Sequence, residues 1–183
     1  MTLDRFTQEC PGLVGSLGRL YGKEVAEELA VVYARVADLG GNDELGVARE
    51  EGVSFNPRIA RVLSLVIQDC DDVDLRTLTV AAYSTLPEEV PLPADIRADV
   101  LAVREALPSS PIWASSVALA IMLDRVRHLH MSELPASDKE RVLSAIESSP
   151  LLTPGGSSSE NLRLKIIHGV AMQRRRIKMD AEE

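Results

Sequence analysis

Apolar residues recur along most of the chain at steps of three and four, the spacing that lines one face of an α-helix. In residues 22–39 these positions are Val25, Leu29, Val32, Val36 and Leu39. Helical patterns also occupy residues 42–50, 57–67, 75–86, 96–107, 112–131, 137–146 and 157–178. Since no segment alternates with a period of two, we predict an all-α fold of seven or eight helices, without a sheet or an internal repeat.

Capping residues and prolines predict where several helices begin and end. Asn56-Pro57 marks a start, because Asn accepts a hydrogen bond from a free helix N–H and Pro is tolerated at the first helical position. Ser137-Asp138-Lys139-Glu140 has the pattern of a capping box, and Ser157-Ser158-Ser159-Glu160 repeats it. Three prolines make residues 86–93 a connector. The acidic residues within 69–74 are expected at a turn and an N-cap, because they lack the glycine and final glutamate of a calcium loop.

The length and composition favour one compact helical domain. A chain of 183 residues is long enough to bury roughly two-thirds of the surface that its unfolded form exposes. Hydrophobic residues make up 45% of the chain but aromatic residues only 3%, which suits aliphatic helix packing better than base stacking. We therefore expect residues 1–183 to form a single domain, in which residues 157–178 are the C-terminal helix.

The charge balance argues against nucleic acid and membrane partners. The formal net charge is −8, so the overall field repels phosphate backbones and anionic lipids. The basic run Arg174-Arg175-Arg176 is interpreted as a solvated helix end that complements the helix dipole. The nearly apolar residues 117–123 are too few to cross a bilayer, and residues 1–6 do not resemble a secretory signal. These features predict a cytoplasmic protein without a membrane partner.

The two cysteines give no indication of metal binding or redox chemistry. Cys10 and Cys70 are far apart in the sequence and belong to no C-x-x-C pattern. We expect both to be reduced, partly buried thiols.

Three short strings carry the candidate chemistry, each on a predicted helix or at its end. They are Phe55-Asn56-Pro57-Arg58-Ile59-Ala60, the segment 79–89 and Ala120-Ile121-Met122-Leu123-Asp124-Arg125-Val126-Arg127-His128-Leu129. In this order they resemble the signature positions of the HD-domain superfamily of metal-dependent phosphohydrolases, in particular the small guanosine-tetraphosphate hydrolases. The resemblance covers about residues 52–131 and implies an HD-like core over about residues 22–148.

The resemblance also implies that most of the family's metal ligands are absent. Asn56 stands at the position of the first histidine, and Ser84 and Thr85 stand at the His-Asp pair. Asp124 matches the last ligand, while Glu88 and Glu89 match the Glu-Asp pair that helps to activate water in the family's hydrolases. One carboxylate among neutral, weak donors does not hold a divalent ion against water. We therefore expect neither a metal nor another cofactor.

The preferred hypothesis is a catalytically degenerate HD-like domain that works by binding a protein or a small ligand, with nucleotide-linked regulation as one setting. A first alternative is a divergent phosphohydrolase that uses manganese or iron. It would recruit Asp124, Glu88 and Glu89, together with His128 or His130, around one cleft.

A second alternative is an unrelated helical adaptor or oligomer subunit, in which the three strings match by chance. In that case the helices that carry the strings would not converge on a common cleft.

Overall fold

The computed structural model describes residues 2–39, 57–132, 134–153 and 160–180. Nine α-helices and two short 3₁₀ turns account for most of this part of the chain, which contains no β-strand. The helices are α1 (Thr2–Glu9), α2 (Pro11–Leu20), α3 (Lys23–Leu39), α4 (Pro57–Asp69), α5 (Leu75–Ser84), α6 (Arg97–Arg104), α7 (Ile112–His128), α8 (Ala136–Glu147) and α9 (Glu160–Asp180). The predicted all-α fold is confirmed. Asn56, the predicted helix over 42–50 and the serines of 157–159 lie outside the described residues.

Two N-terminal helices, α1 and α2, were not predicted from the sequence. They pack against α3 and bury Phe6, Leu13 and Leu17. The ring of Phe6 stacks on Tyr33 of α3, with the ring centroids 4.7 Å apart. The apolar spacing of α2 is helical, but its three glycines lower the intrinsic helix propensity of a short segment. Packing on α3 supplies the stability that the local sequence lacks.

Helix α7 is the centre of the described fold and packs against α4, α5, α6 and α9. Leu119, Leu123 and Val126 are completely buried, and the helix carries buried residues on all sides. A helix that is buried all round loses the one-sided pattern of a surface helix. Its closest neighbour is α9, where a Cβ atom built on Gly169 would lie only 2.7 Å from Val126 Cγ1.

The cationic end of α9 differs from the solvated helix end that was predicted. Arg174 Nε donates to Glu140 at 2.8 Å, and its Nη1 lies 2.9 Å from Glu147, so this arginine joins α9 to α8. These two carboxylates raise the pKa of the Arg174 guanidinium above its ordinary value. Arg175 and Arg176 are exposed, as expected for the helix end.

Two of the predicted helix caps can be compared directly with the structure. Asp74 caps α5 by accepting a 2.7 Å hydrogen bond from the Thr77 backbone N–H, which confirms the turn and N-cap interpretation. The predicted capping box at Ser137 is wrong, because α8 begins at Ala136 and its N-cap residue is Pro135. Proline at this position has no side-chain acceptor, so the helix starts without a side-chain cap. Ser137 lies within the first turn.

Candidate functional site

Asp124, the acidic residue on the best-matching string, is fully buried on α7. Arg61, on the facing side of α4, binds both of its oxygens. The Arg61 Nε donates to Oδ1 at 2.7 Å, and Nη2 donates to Oδ2 at 3.2 Å. This two-bond arrangement matches the planar guanidinium to the planar carboxylate and compensates much of the cost of burying the charge.

His128 lies one helical turn after Asp124 and contacts the same carboxylate. Its Nδ1 is 3.1 Å from Asp124 Oδ1 and 2.9 Å from the Asp124 backbone carbonyl oxygen. Because both of these neighbours are acceptors, Nδ1 carries the proton and Nε2 is the ring nitrogen not engaged with Asp124. The sequence placed Asp124 and His128 on one helix face, and the structure brings them into contact.

A cavity of about 390 Å³ lies beside this cluster, between α2, α4 and α7. The first turn of α2 lines one side of it, with the preceding residue Cys10. Arg61, Ser64 and Gln68 line it from α4, and Asp124, Arg127 and His128 line it from α7. Its size falls in the range of roughly 300–1,000 Å³ that is typical of small-molecule sites. The geometry therefore offers a small-ligand cavity with several polar groups on its wall.

The other residues at the family's ligand positions lie elsewhere. The Ser84 Oγ donates to the Val80 carbonyl oxygen at 2.8 Å, and the Thr85 Oγ1 donates to the Ala82 carbonyl oxygen at 2.7 Å. Both hydroxyls are buried and bonded within their own helix end, and neither residue lines the cavity at Asp124. Glu88 and Glu89 are exposed in the turn that follows and do not line it either. The helices α4, α5 and α7 pack together, but these side chains do not meet at one cleft.

His130, the second histidine considered beside Asp124, is exposed and does not line the cavity. Its Nδ1 lies 3.4 Å from Nε2 of Gln173, a buried residue of α9. Desolvation by the atoms packed against one side of the ring, together with nearby Arg176, lowers the pKa of His130. Within the described parts of the chain, no three His, Cys, Asp or Glu side chains cluster in a way that could hold a metal ion.

The sequence did not identify the cationic and N-terminal parts of this cavity. Arg61 follows Pro57 by one helical turn, directly after the first string, but no family position indicated a partner for Asp124. The part of the wall that α2 forms could not be predicted, because α2 itself was not predicted from the sequence. Arg127 stood in the third string without a role of its own. The usable indication was Arg61, a charged residue among the apolar residues of α4, close to the position at which the first metal ligand was expected.

The structure gives the two cysteines different surroundings. Cys10 is buried at the cavity, where its Sγ is 3.9 Å from the hydroxyl of Tyr33. Cys70 is half-buried just after α4, and burial, with Asp69 and Asp71, raises the pKa of its thiol to about 12. Neither thiol forms a disulfide bond; Cys70 is partly buried, as the sequence predicted, whereas Cys10 is buried.

Comparison with known proteins adds no relative: no family model, no curated protein and no solved structure matches this chain. The likeness to the HD-domain superfamily therefore rests on the three sequence strings. No helix among the described residues has the length and apolarity needed to span a membrane.

Proposed function

We propose that this chain is a helical binding domain, catalytically degenerate relative to HD-type phosphohydrolases, which holds a small ligand in the cavity beside Asp124. The observation that carries the proposal is the engagement of the Asp124 carboxylate. Arg61 occupies both of its oxygens and His128 adds a third contact. The residue that would hold a metal in the family is committed here to an ion pair within the chain.

The charges around Asp124 also disfavour a divalent ion. A metal bound to this carboxylate would have to displace the Arg61 guanidinium or lie within a few ångströms of it. Like charges at such separations repel strongly in a partly buried site, where the effective dielectric is lower than in water. Two further polar groups on the wall, Ser64 and Gln68, are neutral and are weak ligands for such an ion.

The cavity supports the small-ligand form of the binding hypothesis over the protein-partner form. It is concave, lies between three helices and combines the apolar Leu13 and Leu65 with polar groups. Sites of this kind bury much of a small molecule and fix its orientation through a few hydrogen bonds.

Metal content and turnover test the non-catalytic part of the proposal. Purified protein should hold far less than one manganese or iron ion per chain, and it should hydrolyse guanosine tetraphosphate and simple phosphoesters with manganese no faster than Asp124→Asn does. Stoichiometric metal, or turnover that Asp124→Asn abolishes, would overturn it.

Ligand-dependent thermal stabilisation tests the binding part. A panel of nucleotides, sugar phosphates, carboxylic acids, amino acids and neutral sugars should contain a compound that raises the Tm in a saturable way. Ala60→Leu, which places a larger side chain on the cavity wall, should remove the effect. Ala171→Leu, the same change at an exposed position of α9, is the matched control. A panel without any such compound counts against the proposal.

A further inference from the structure

The wall of the cavity is positively charged although the chain as a whole carries a net charge of −8. Arg61, Arg127 and His128 line it, whereas Asp124 is the only acidic residue on the wall among the residues that the structure describes. The two arginines outnumber the single carboxylate, so the wall is net positive even with His128 neutral. In a chain of negative net charge, a wall with a net positive charge concentrates positive potential at one place.

The single carboxylate is already compensated, whereas one arginine is not. Arg61 and His128 satisfy Asp124, so its charge is largely cancelled within the wall. The Arg127 side chain is exposed at the rim, and among the described residues no acceptor pairs with its guanidinium. An arginine of this kind can form two parallel hydrogen bonds to a carboxylate or a phosphate.

The first turn of α2 adds a second source of positive potential on the same wall. Pro11, Gly12 and Leu13 line the cavity, and because proline has no backbone N–H, Gly12 and Leu13 carry the first N–H groups of this helix. The first N–H groups of a helix lack intrahelical acceptors and carry the positive end of the helix dipole. A Cβ atom built on Gly12 would meet nothing within 4 Å, so a ligand has open space beside this backbone.

We infer that the cavity binds the anionic group, phosphate or carboxylate, of a small metabolite between Arg127 and the first turn of α2. This inference rests on the proposed small-ligand function and adds the chemical class of the ligand. His128 Nε2 accepts a hydrogen bond from a hydroxyl of the same ligand, or donates one when the ring is protonated. A volume of about 390 Å³ accommodates one small molecule. The negative overall charge repels large polyanions, whereas the local positive wall attracts a single small anion.

Amide NMR titrations of the full chain test the inference. Inorganic phosphate and acetate are the two anionic probes, and glycerol is the neutral one, at constant ionic strength. At least one anion should shift the amide signals of Gly12, Leu13 and residues near Arg127 in a saturable way, and glycerol should not. Saturation by phosphate alone assigns a phosphorylated ligand, and saturation by acetate alone assigns a carboxylic acid.

Two arginine variants on α7 give the matched comparison. Arg127→Gln should weaken the affinity for the anion about tenfold, because it removes a charged hydrogen-bond donor. Arg125→Gln makes the same change two residues earlier, where the side chain borders α8 instead of the cavity, and it should leave the affinity unchanged.

Three results would overturn the inference. They are the absence of saturable shifts with both anions, equal affinities in wild type and Arg127→Gln, and equal weakening by the two variants. If a neutral compound from the stability panel binds and Ala60→Leu blocks it while neither anion binds, the anion inference fails and the proposed function stands. If no panel compound and no anion binds, both fail.

Discussion

Arg61 and Asp124 form a two-bond ion pair that joins α4 to α7 across the inner wall of the cavity. The Asp124 side chain is 0% exposed and that of Arg61 is 23% exposed, so the pair is largely shielded from water. The carboxylate that a metalloenzyme would offer to an ion serves here as a link between two helices. The same pair determines how the wall responds to substitution.

Loss of Arg61 alone should destabilise the fold more than loss of both partners. Arg61→Met leaves the buried Asp124 with only His128 to compensate it, and breaking a buried pair costs about 3 kcal/mol. Arg61→Met combined with Asp124→Leu removes the uncompensated charge and should recover most of that loss. Urea unfolding measures both variants. If Arg61→Met stays within about 0.5 kcal/mol of wild type, the pair does not contribute in this way.

Gly169→Ala should destabilise the protein, against the usual effect of this substitution in a helix. The added Cβ would lie 2.7 Å from Val126 Cγ1, and overpacking of this kind costs about 1–3 kcal/mol, which exceeds the gain in helix propensity. Gly15→Ala is the control, since Gly15 is an exposed position of α2 and a Cβ atom built there meets nothing within 4 Å. It should stabilise by about 0.5–1 kcal/mol. Thermal unfolding of the two variants should therefore shift in opposite directions, and a shared direction would contradict the packing of α9 on α7.

Arg174→Gln should weaken the attachment of α9 to α8. The arginine pairs with both Glu140 and Glu147, and a partly exposed network of this size is worth about 1 kcal/mol at most. Arg175→Gln removes the same charge from an exposed neighbour and should change the free energy of unfolding by less. Raising the salt concentration should reduce the difference between the variants. Equal effects in urea unfolding would assign no role to the ion pairs.

Cys70 should react slowly with iodoacetamide at pH 8 in the folded protein. Its pKa of about 12 leaves a far smaller thiolate fraction than an ordinary cysteine has at that pH. Asp71→Asn removes one of the charges that raise this pKa and should increase the rate, measured by mass spectrometry of the modified peptide. Labelling in urea provides the unfolded reference. Folded protein that reacts as fast as the reference would contradict the raised pKa.

The raised pKa of the Cys70 thiol should also lower the stability of the protein at alkaline pH. Its folded pKa of about 12 lies above the ordinary value of 9.0 for a cysteine thiol, so the unfolded chain releases this proton first as the pH rises. The contribution of Cys70 to the free energy of unfolding is therefore complete below about pH 9 and falls between about pH 9 and 12. A Cys70→Ala variant should show a smaller decline across this window in urea unfolding.

The prediction of the fold was accurate where one helix face carries the apolar residues. Most of helices α3 to α9 follow such faces, α7 was predicted from its long apolar run, and Pro57 and Asp74 mark two of the starts correctly. The prediction failed at α1 and α2, where the local propensity is weak and the burial of Phe6 and Leu17 against α3 provides the stability. It also failed at Ser137, because the helix begins one residue earlier, after a proline.

The candidate site was only partly predictable. The sequence identified Asp124 and placed His128 on its helix face, because residues four apart on a helix are neighbours. The pairing of Asp124 with Arg61 spans 63 residues, and no local pattern encodes a contact at that separation. The hydroxyls of Ser84 and Thr85 bond to their own helix end, which depends on side-chain conformations that the strings do not specify.

By itself, the sequence determined the helical class, most helix positions and the overall negative charge, since periodicity, capping and composition are local properties. Only the tertiary structure decided that Asp124 is neutralised by Arg61 and that the first turn of α2 meets Arg127 and His128 at one cavity. Those relationships depend on how α2, α4 and α7 pack. Packing results from the summed burial of many side chains distant in sequence, and it brings a few cations together in an otherwise acidic protein.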